Sequence, residues 1–292
     1  LCPCCVPFCR VIRGSIHPNG PVWLTCQWAC SGKFEARTPM KLALISDIHA
    51  NRQALQACLA HARQQGVDQF AFLGDLVGYG ADPVAVLDEV MNLALQGALV
   101  LLGNHDEMAL NPPSAQGAEA TLGSQSAQWT HEQLSAAHRE FLSHLPLTVA
   151  QDGLLLVHAS ADHPASWRYV DGEAAAGRCL DQALAEQQGP HVLVGHVHHQ
   201  TLYYRGAGRN LMRFDPTPGT PVPTPLHRPM VGCVGSCGQP RDGDARAMYA
   251  VYDRTLQKIT FHRVPYNHAE AAAAIRLAGL PAYFSQRLER GR

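Results

Sequence analysis

Five short blocks carry side chains able to hold metal ions or move protons: Asp47-Ile48-His49, Gly74-Asp75, Gly103-Asn104-His105-Asp106, His158, and Gly195-His196-Val197-His198. Together they offer carboxylate, imidazole and amide ligands. Two divalent ions roughly 3.5–4 Å apart can clamp a phosphoryl group and activate water between them, and a bridging carboxylate holds such a pair together. Asp75 is the candidate bridge. Asp47, His49 and His198 would complete one ion, and Asn104, His158 and His196 the other. Nitrogen and oxygen ligands without thiolate suit manganese, the first expectation, or iron, zinc, nickel or cobalt. His105 adjoins Asn104 and cannot easily share its ion. It is better placed to protonate a leaving oxygen, with Asp106 orienting its ring. The nucleophile would be a metal-activated hydroxide, so no side-chain nucleophile is needed.

Each block alone is a weak signal, since Gly-Asp is usually a turn and a lone histidine usually packs or meets solvent. Their common position makes the case. Lys41–Ser46, Gln69–Gly74, Ala98–Gly103, Leu154–Val157 and His191–Gly195 are short apolar runs, and each ends at one of the blocks. Such runs suit strands buried on both faces. Leu55, Cys58, Leu59 and Ala62 recur at helical spacing after Asn51, an expected N-cap. Asp82-Pro83 opens a second helix with a predicted stripe of Val84, Leu87, Met91 and Ala94. Strands alternating with helices imply a largely parallel sheet. The carboxyl ends of its strands face one crevice, where distant residues converge.

The five blocks, in this order, resemble the calcineurin-like metallophosphoesterase superfamily, whose pattern reads D-x-H, G-D, G-N-H-D/E, H, G-H-x-H. The likeness extends to Gly74–Gly80, Val157–Ser160, Gly238–Asp244 and Arg263–Tyr266 followed by an Ala-rich helix, and covers about Met40 to Arg292. It is similar to the small single-domain bacterial and archaeal branch. The resemblance implies an α/β fold, a four-layer α/β/β/α sandwich of the metallo-dependent phosphatase type. Thr201–Arg205, Met230–Val234, Met248–Asp253 and Lys258–Pro265 then read as a second sheet. The family's ligand assignment falls on the positions proposed above. Cys233-Val234 stands where relatives usually carry Asn-Pro before Gly235-Ser236, a departure that bears on local loop shape. The resemblance implies a metal-dependent phosphoesterase acting on a small phosphodiester or phosphomonoester. Gly78-Tyr79-Gly80 differs from the Arg-Gly pattern of the protein-phosphatase and tetraphosphatase branches. The alternative is a non-catalytic metal-binding scaffold of the same fold. Such members tend to lose the general-acid histidine or a ligand, and this chain keeps His105 and the full set.

Around the blocks the readings stay open. Arg241 either reaches a substrate phosphate or is exposed or ion-paired, and Trp167-Arg168-Tyr169 either lines the crevice or packs. Ser46 supports its neighbouring ligands, and His199 does so or meets solvent. Prolines crowd Asp215–Pro229, which cannot pair as an interior strand and reads as a surface loop. The Ala-rich helix, Ala269 to Leu280, packs on its own domain or on a partner, and oligomeric state is open.

Net charge is −1 without a basic run, which disfavours long nucleic acid as a partner, and no apolar stretch reaches membrane-spanning length. Cys58, Cys179, Cys233 and Cys237 read as buried thiols of a reducing, cytoplasmic compartment. Residues 1–39 hold Cys2, Cys4, Cys5, Cys9, Cys26 and Cys30 without periodicity. They read as an extension outside a 40–292 domain, from an overextended gene start, with a small metal or disulfide knot as the rival.

Overall fold

Leu42 to Ile45 are all fully buried, and their alternation shows how the layers form. Leu42 and Leu44 face one cluster, while Ala43 and Ile45 face another, as the two-residue period of a strand requires. A computed structural model describes residues 41–115, 121–206 and 211–292, all within one compact unit. The expected extension over residues 1–39 lies outside the described residues.

In chain order the elements are β1 (Lys41–Ile45), α1 (Arg52–Gln64), β2 (Gln69–Phe72), α2 (Pro83–Leu95), β3 (Leu99–Val100), α3 (Asn104–Leu110), α4 (Leu122–Gln133), α5 (Ala136–Ser143), β4 (Thr148–Gln151), β5 (Leu154–Val157), α6 (Glu173–Ala185), β6 (His191–Val194), β7 (Gln200–Arg205), β8 (Leu211–Phe214), β9 (Pro221–Pro223), β10 (Met230–Val234), β11 (Ala247–Asp253), β12 (Lys258–Val264), α7 (His268–Leu277) and α8 (Ala282–Arg290). They build two mixed sheets, ordered β3-β2-β1-β11-β12-β9 and β4-β5-β6-β10-β7-β8. The sheets share an apolar layer that includes Leu42, Leu44, Leu156, Leu193, Tyr252 and Phe261. Helices α1 and α2 cover the outer face of the first sheet, with Leu55, Leu59, Val86 and Leu87 on Ala43 and Ile45. Helix α6 covers the second, with Cys179 and Leu180 on Val192 and Val231. This is the expected four-layer sandwich.

The division of strands between sheets differs from expectation. The late strands do not form the second sheet by themselves. β11 pairs with β1 and joins the first sheet, drawing in β12, whereas β7 and β10 join β5 and β6. Hairpin partners stay together, but which sheet accepts a hairpin depends on edges that only the assembled core defines. The stripe of α2 is also rotated. Val84 is 38% exposed, and the helix buries Pro83, Val86, Leu87, Val90 and Leu93. Burial of a Val or Leu side chain contributes about 1.5–3 kcal/mol. A face with Leu93 therefore outweighs one with Ala94. Pro221–Pro223 is not wholly loop: β9 pairs with β12 at the sheet's edge, the position proline tolerates. The Ala-rich helix ends at Leu277 and packs on its own domain, with Ala272 and Ile275 against Phe284 and Leu288 of α8.

Candidate metal centre

The five blocks lie at the carboxyl ends of two sets of parallel strands. β1, β2 and β3 run parallel in the first sheet, and β5 and β6 in the second. Asp47 and His49 follow β1, Asp75 follows β2, Asn104 opens α3 after β3, His158 follows β5, and His196 and His198 follow β6. The crevice is thus where two sheets meet.

Asp47, His49, Asp75, His196 and His198 all adopt left-handed backbone, with φ between 49° and 64°. Such conformations cost about 1–2 kcal/mol each for a non-glycine residue and persist only where neighbours dictate them. Here the loops brace one another. Asp47 N–H donates to the Gly74 carbonyl (3.0 Å), His49 N–H to Asp75 O (3.0 Å) and Ala50 N–H to Leu76 O (2.9 Å). His196 N–H donates to Asp47 Oδ2 (2.9 Å), and the Ser236 hydroxyl and Gly238 N–H both donate to Asp47 O (2.9 Å each). The Cys233-Val234 departure therefore leaves the hold of Gly235-Ser236 on the ligand loop intact. Two glycines permit the approach. A Cβ on Gly103 would sit 2.2 Å from Asp75 N, and one on Gly195 would sit 1.9 Å from Ser46 Oγ and 2.6 Å from Asp47 Oδ2.

The side chains converge in two buried groups, Asp47–His49–His198 and Asp75–His158–His196, each with donor atoms within 4.8 Å of one another. Carbonyl oxygens only accept hydrogen bonds, so the ring nitrogens facing them must carry the proton. That nitrogen is Nδ1 in His49 (Val77 O, 3.3 Å), His158 (Leu73 O, 2.8 Å) and His198 (Gln239 O, 2.7 Å), and Nε2 in His196 (Trp167 O, 3.0 Å). In the neutral rings the other nitrogen is a bare lone pair. His49 Nε2 and His198 Nε2 then face each other at 3.2 Å, and His198 Nε2 lies 3.1 Å from Asp47 Oδ1, a buried oxygen without a hydrogen bond. His158 Nε2 is 3.2 Å from Asn104 Oδ1. Asp75 Oδ2 lies between the groups, 3.4 Å from His158 Nε2 and 3.7 Å from His49 Nε2. Acceptors aimed at acceptors repel one another unless a proton, as His158 can carry, or a metal cation stands among them. Imidazoles fixed by carbonyls are the arrangement that metal ligation favours.

Electrostatics agree. Burial opposes ionisation of Asp47, yet His198 and His158 hold it well below the usual carboxylate range. Asp75 is likewise held low, by His158 and His105 against burial. Burial pushes His49 well down and His196 down to about 4, keeping both rings neutral as ligands must be. For His158 burial works downward but Asp75 prevails, raising it to about 9, a measure of the negative potential that would also draw a cation.

His105 is 8% exposed, its N–H donates to Asp75 Oδ1 (2.8 Å), and its ring packs 5.1 Å from His49 and 4.3 Å from Tyr79. Burial lowers its pKa. The expectation for Asp106 needs correction. Its carboxylate does not orient the His105 ring. Oδ1 accepts from Leu76 N–H (2.9 Å) and Val77 N–H (3.1 Å), and Oδ2 from Gly103 N–H (2.9 Å). Burial raises Asp106 to about 7, against the pull of those amides. It splices the Asp75 loop to the Asn104 loop.

Trp167 and Tyr169 do line the crevice. Tyr169 stacks on His196 at 4.1 Å, and Trp167 Nε1 donates to Glu107 (2.9 Å). His199 is half-buried with a ring nitrogen on the Arg241 carbonyl (3.2 Å). Arg241 makes no ion pair among the described residues and donates to Gln239 Oε1 (2.9 Å). Sequence reasoning missed Gln239, which orients His198, and Arg287 of α8, which shares the Gln239 side chain (3.2 Å). Gln239 lay within a block already noted, but Arg287 had no sequence signal, being a polar residue of a terminal helix.

Comparison with known proteins points to one family. A family model described as calcineurin-like phosphoesterase matches residues 40–219. An uncharacterised protein of Methanocaldococcus jannaschii is 30% identical over 260 residues, spanning 86% of this chain and 98% of that one. A metallophosphoesterase crystal structure from Sphaerobacter thermophilus is 34% identical with a TM-score of 0.72, covering 87% of this chain and 100% of that one. A hypothetical protein from Pyrococcus horikoshii shares the fold at 20% identity, with a TM-score of 0.67 over 86% of this chain and 98% of that one. Among the described residues no helix is long and apolar enough to cross a membrane.

Proposed function

Because this chain belongs to the calcineurin-like phosphoesterase family, we propose that it hydrolyses a small phosphodiester or phosphomonoester at a dinuclear metal centre. The observation that carries the reading is the place of Asp75 Oδ2, within 3.7 Å of a histidine from each group. Asp75 would be shared by two divalent ions. Asp47, His49 and His198 would hold one, and Asn104, His158 and His196 the other. The oxygen and nitrogen donor set fits manganese, and also iron, zinc, nickel or cobalt. When bound, such ions polarise a phosphoryl oxygen and make water acidic enough to attack near neutral pH.

The remaining work falls to the protein. His105 packs beside His49 with its backbone N–H tied to Asp75, and gives a proton to the leaving oxygen. Tyr79 packs against that ring and limits its orientation. Trp167 and Tyr169 pack on the His158–His196 side. With a net charge of −1, long nucleic acid is a poor partner. Cys58, Cys179, Cys233 and Cys237 are buried free thiols, which supports a reducing, cytoplasmic setting.

The test is turnover of bis-p-nitrophenyl phosphate and p-nitrophenyl phosphate by the full chain with added manganese, beside Asp75→Asn and His105→Ala. The expected result is metal-dependent turnover, abolished by Asp75→Asn and strongly reduced by His105→Ala, with metal content falling only in Asp75→Asn. A folded, metal-loaded protein that turns over neither ester with any of the five metals would overturn the catalytic reading in favour of a scaffold.

A further inference from the structure

One cluster of charge lies beside the centre without a place in the chemistry above. Gln239 is 2% exposed, and its carbonyl orients His198. Its side-chain Oε1 accepts from two guanidiniums at once, Arg241 Nη2 at 2.9 Å and Arg287 Nη1 at 3.2 Å. Two cations share one neutral oxygen. Among the described residues neither arginine meets a carboxylate, although this chain pairs its other half-buried arginines readily, as Arg263 does with Asp242 and Arg254 with Asp152. The Nε–H groups of Arg241 and Arg287 are buried and lack acceptors.

The pair lies beside the reaction centre. Phe284, one helical turn before Arg287 in α8, packs 4.9 Å from Tyr79. The Tyr79 ring in turn packs 4.7 Å from His49 and 4.3 Å from His105. Both arginines act electrostatically on Tyr79, and Arg241 also on His105. The Arg287 guanidinium is further placed over the Tyr283 ring at 4.9 Å. Burial first, and then the neighbouring Arg241 charge, lower its pKa, so two like charges stand side by side here. Guanidinium forks match phosphate oxygens two at a time, and paired like charges are relieved when a dianion lies across them.

We propose that Arg241 and Arg287 form an anion subsite for a second phosphate group of the substrate, carried beside the scissile ester. The inference rests on the phosphoesterase reading and narrows it: the preferred substrate is a small ester bearing a second phosphate, not one with an uncharged tail. His105 and the ions that the two ligand groups would hold would act on the scissile phosphoryl, and the arginine pair fixes which molecules present it.

The test uses two chromogenic diesters with the same scissile bond, thymidine 5′-(p-nitrophenyl phosphate) and its 3′-phosphorylated form, on the manganese-loaded full chain. The readout is the ratio of their kcat/KM values, which cancels any general loss of activity. The parent should favour the doubly phosphorylated probe by at least roughly tenfold, mainly through KM. Arg287→Gln should bring the ratio down to about two or less, and Arg287→Lys, which keeps the charge without the fork, to an intermediate value. If Arg287→Gln does not fold, the fall in Arg287→Lys decides. A parent ratio near one, or a ratio unchanged in the variants, overturns the subsite. Calorimetric titration with pyrophosphate separates this failure from that of the enzyme reading. Binding that is lost in Arg287→Gln, in a parent that cleaves neither ester, refutes the phosphoesterase and keeps the subsite. Turnover of both esters without preference does the reverse.

Discussion

Asp106→Ala should behave as a structural lesion before a catalytic one. The carboxylate is fully buried and serves three backbone amides, Leu76, Val77 and Gly103, at 2.9–3.1 Å. Truncation leaves three buried N–H groups unpaired. At about 1–3 kcal/mol each, with some relief from entering water, the loss comes to about 3–6 kcal/mol. That is a large share of the roughly 5–15 kcal/mol that holds a domain together. At about 2–4 °C per kcal/mol for a domain of this size, Tm falls by roughly 6–24 °C. Asp106→Asn is milder. Its amide oxygen still accepts from Leu76 and Val77, but its NH2 then faces Gly103 N–H donor to donor, so the loss is about 2–4 kcal/mol. Urea unfolding and thermal melts of the metal-free proteins measure both. If Asp106→Ala melts within 2–3 °C of the parent yet loses as much turnover as His105→Ala, the splice reasoning is wrong and Asp106 serves His105 directly.

Other consequences are equally direct. Gly195→Ala places a methyl 1.9 Å from Ser46 Oγ and 2.6 Å from Asp47 Oδ2, which should cost about 1–3 kcal/mol and lower the metal bound per chain; added Ser46→Gly should restore part of both, and unchanged metal content would count against the crowding. His262 is pushed down to about 4 by burial and by His61, so in the folded chain it stays neutral while the unfolded chain takes up a proton below about 6.5. Its contribution is present above pH 6.5 and is lost as pH falls toward 4, by about 2 kcal/mol allowing for partial exposure. The urea midpoint should therefore drop between pH 7 and pH 4.5, less so in His262→Phe, and equal drops would contradict the assignment. Asn51→Ala removes the cap on Ala54 N–H (3.1 Å) and the bond to Gly238 O (2.8 Å), and should destabilise by about 1–3 kcal/mol in a melt, with weaker metal binding because Gly238 braces Asp47.

Much of the molecule was legible in its residues. The apolar runs leading to Asp47, His158 and His196 are strands buried along nearly their whole length, whereas those leading to Asp75 and Asn104 are shorter strands buried only toward their ends. The stripe of Leu55, Cys58, Leu59 and Ala62 and the Asn51 cap are local, and local terms survive folding. The ligand groups follow because strand ends are the only places where a buried layer can present polar side chains to a common crevice. What the residues could not state is which neighbours complete each contact. The sheet that receives β11, the face that α2 buries, the amides that claim Asp106, and the meeting of Arg241 with Arg287 on one glutamine oxygen are all set by packing between segments far apart in sequence. Their energies depend on distances of a few ångströms across the core, and no pattern of residue types along the chain encodes those distances.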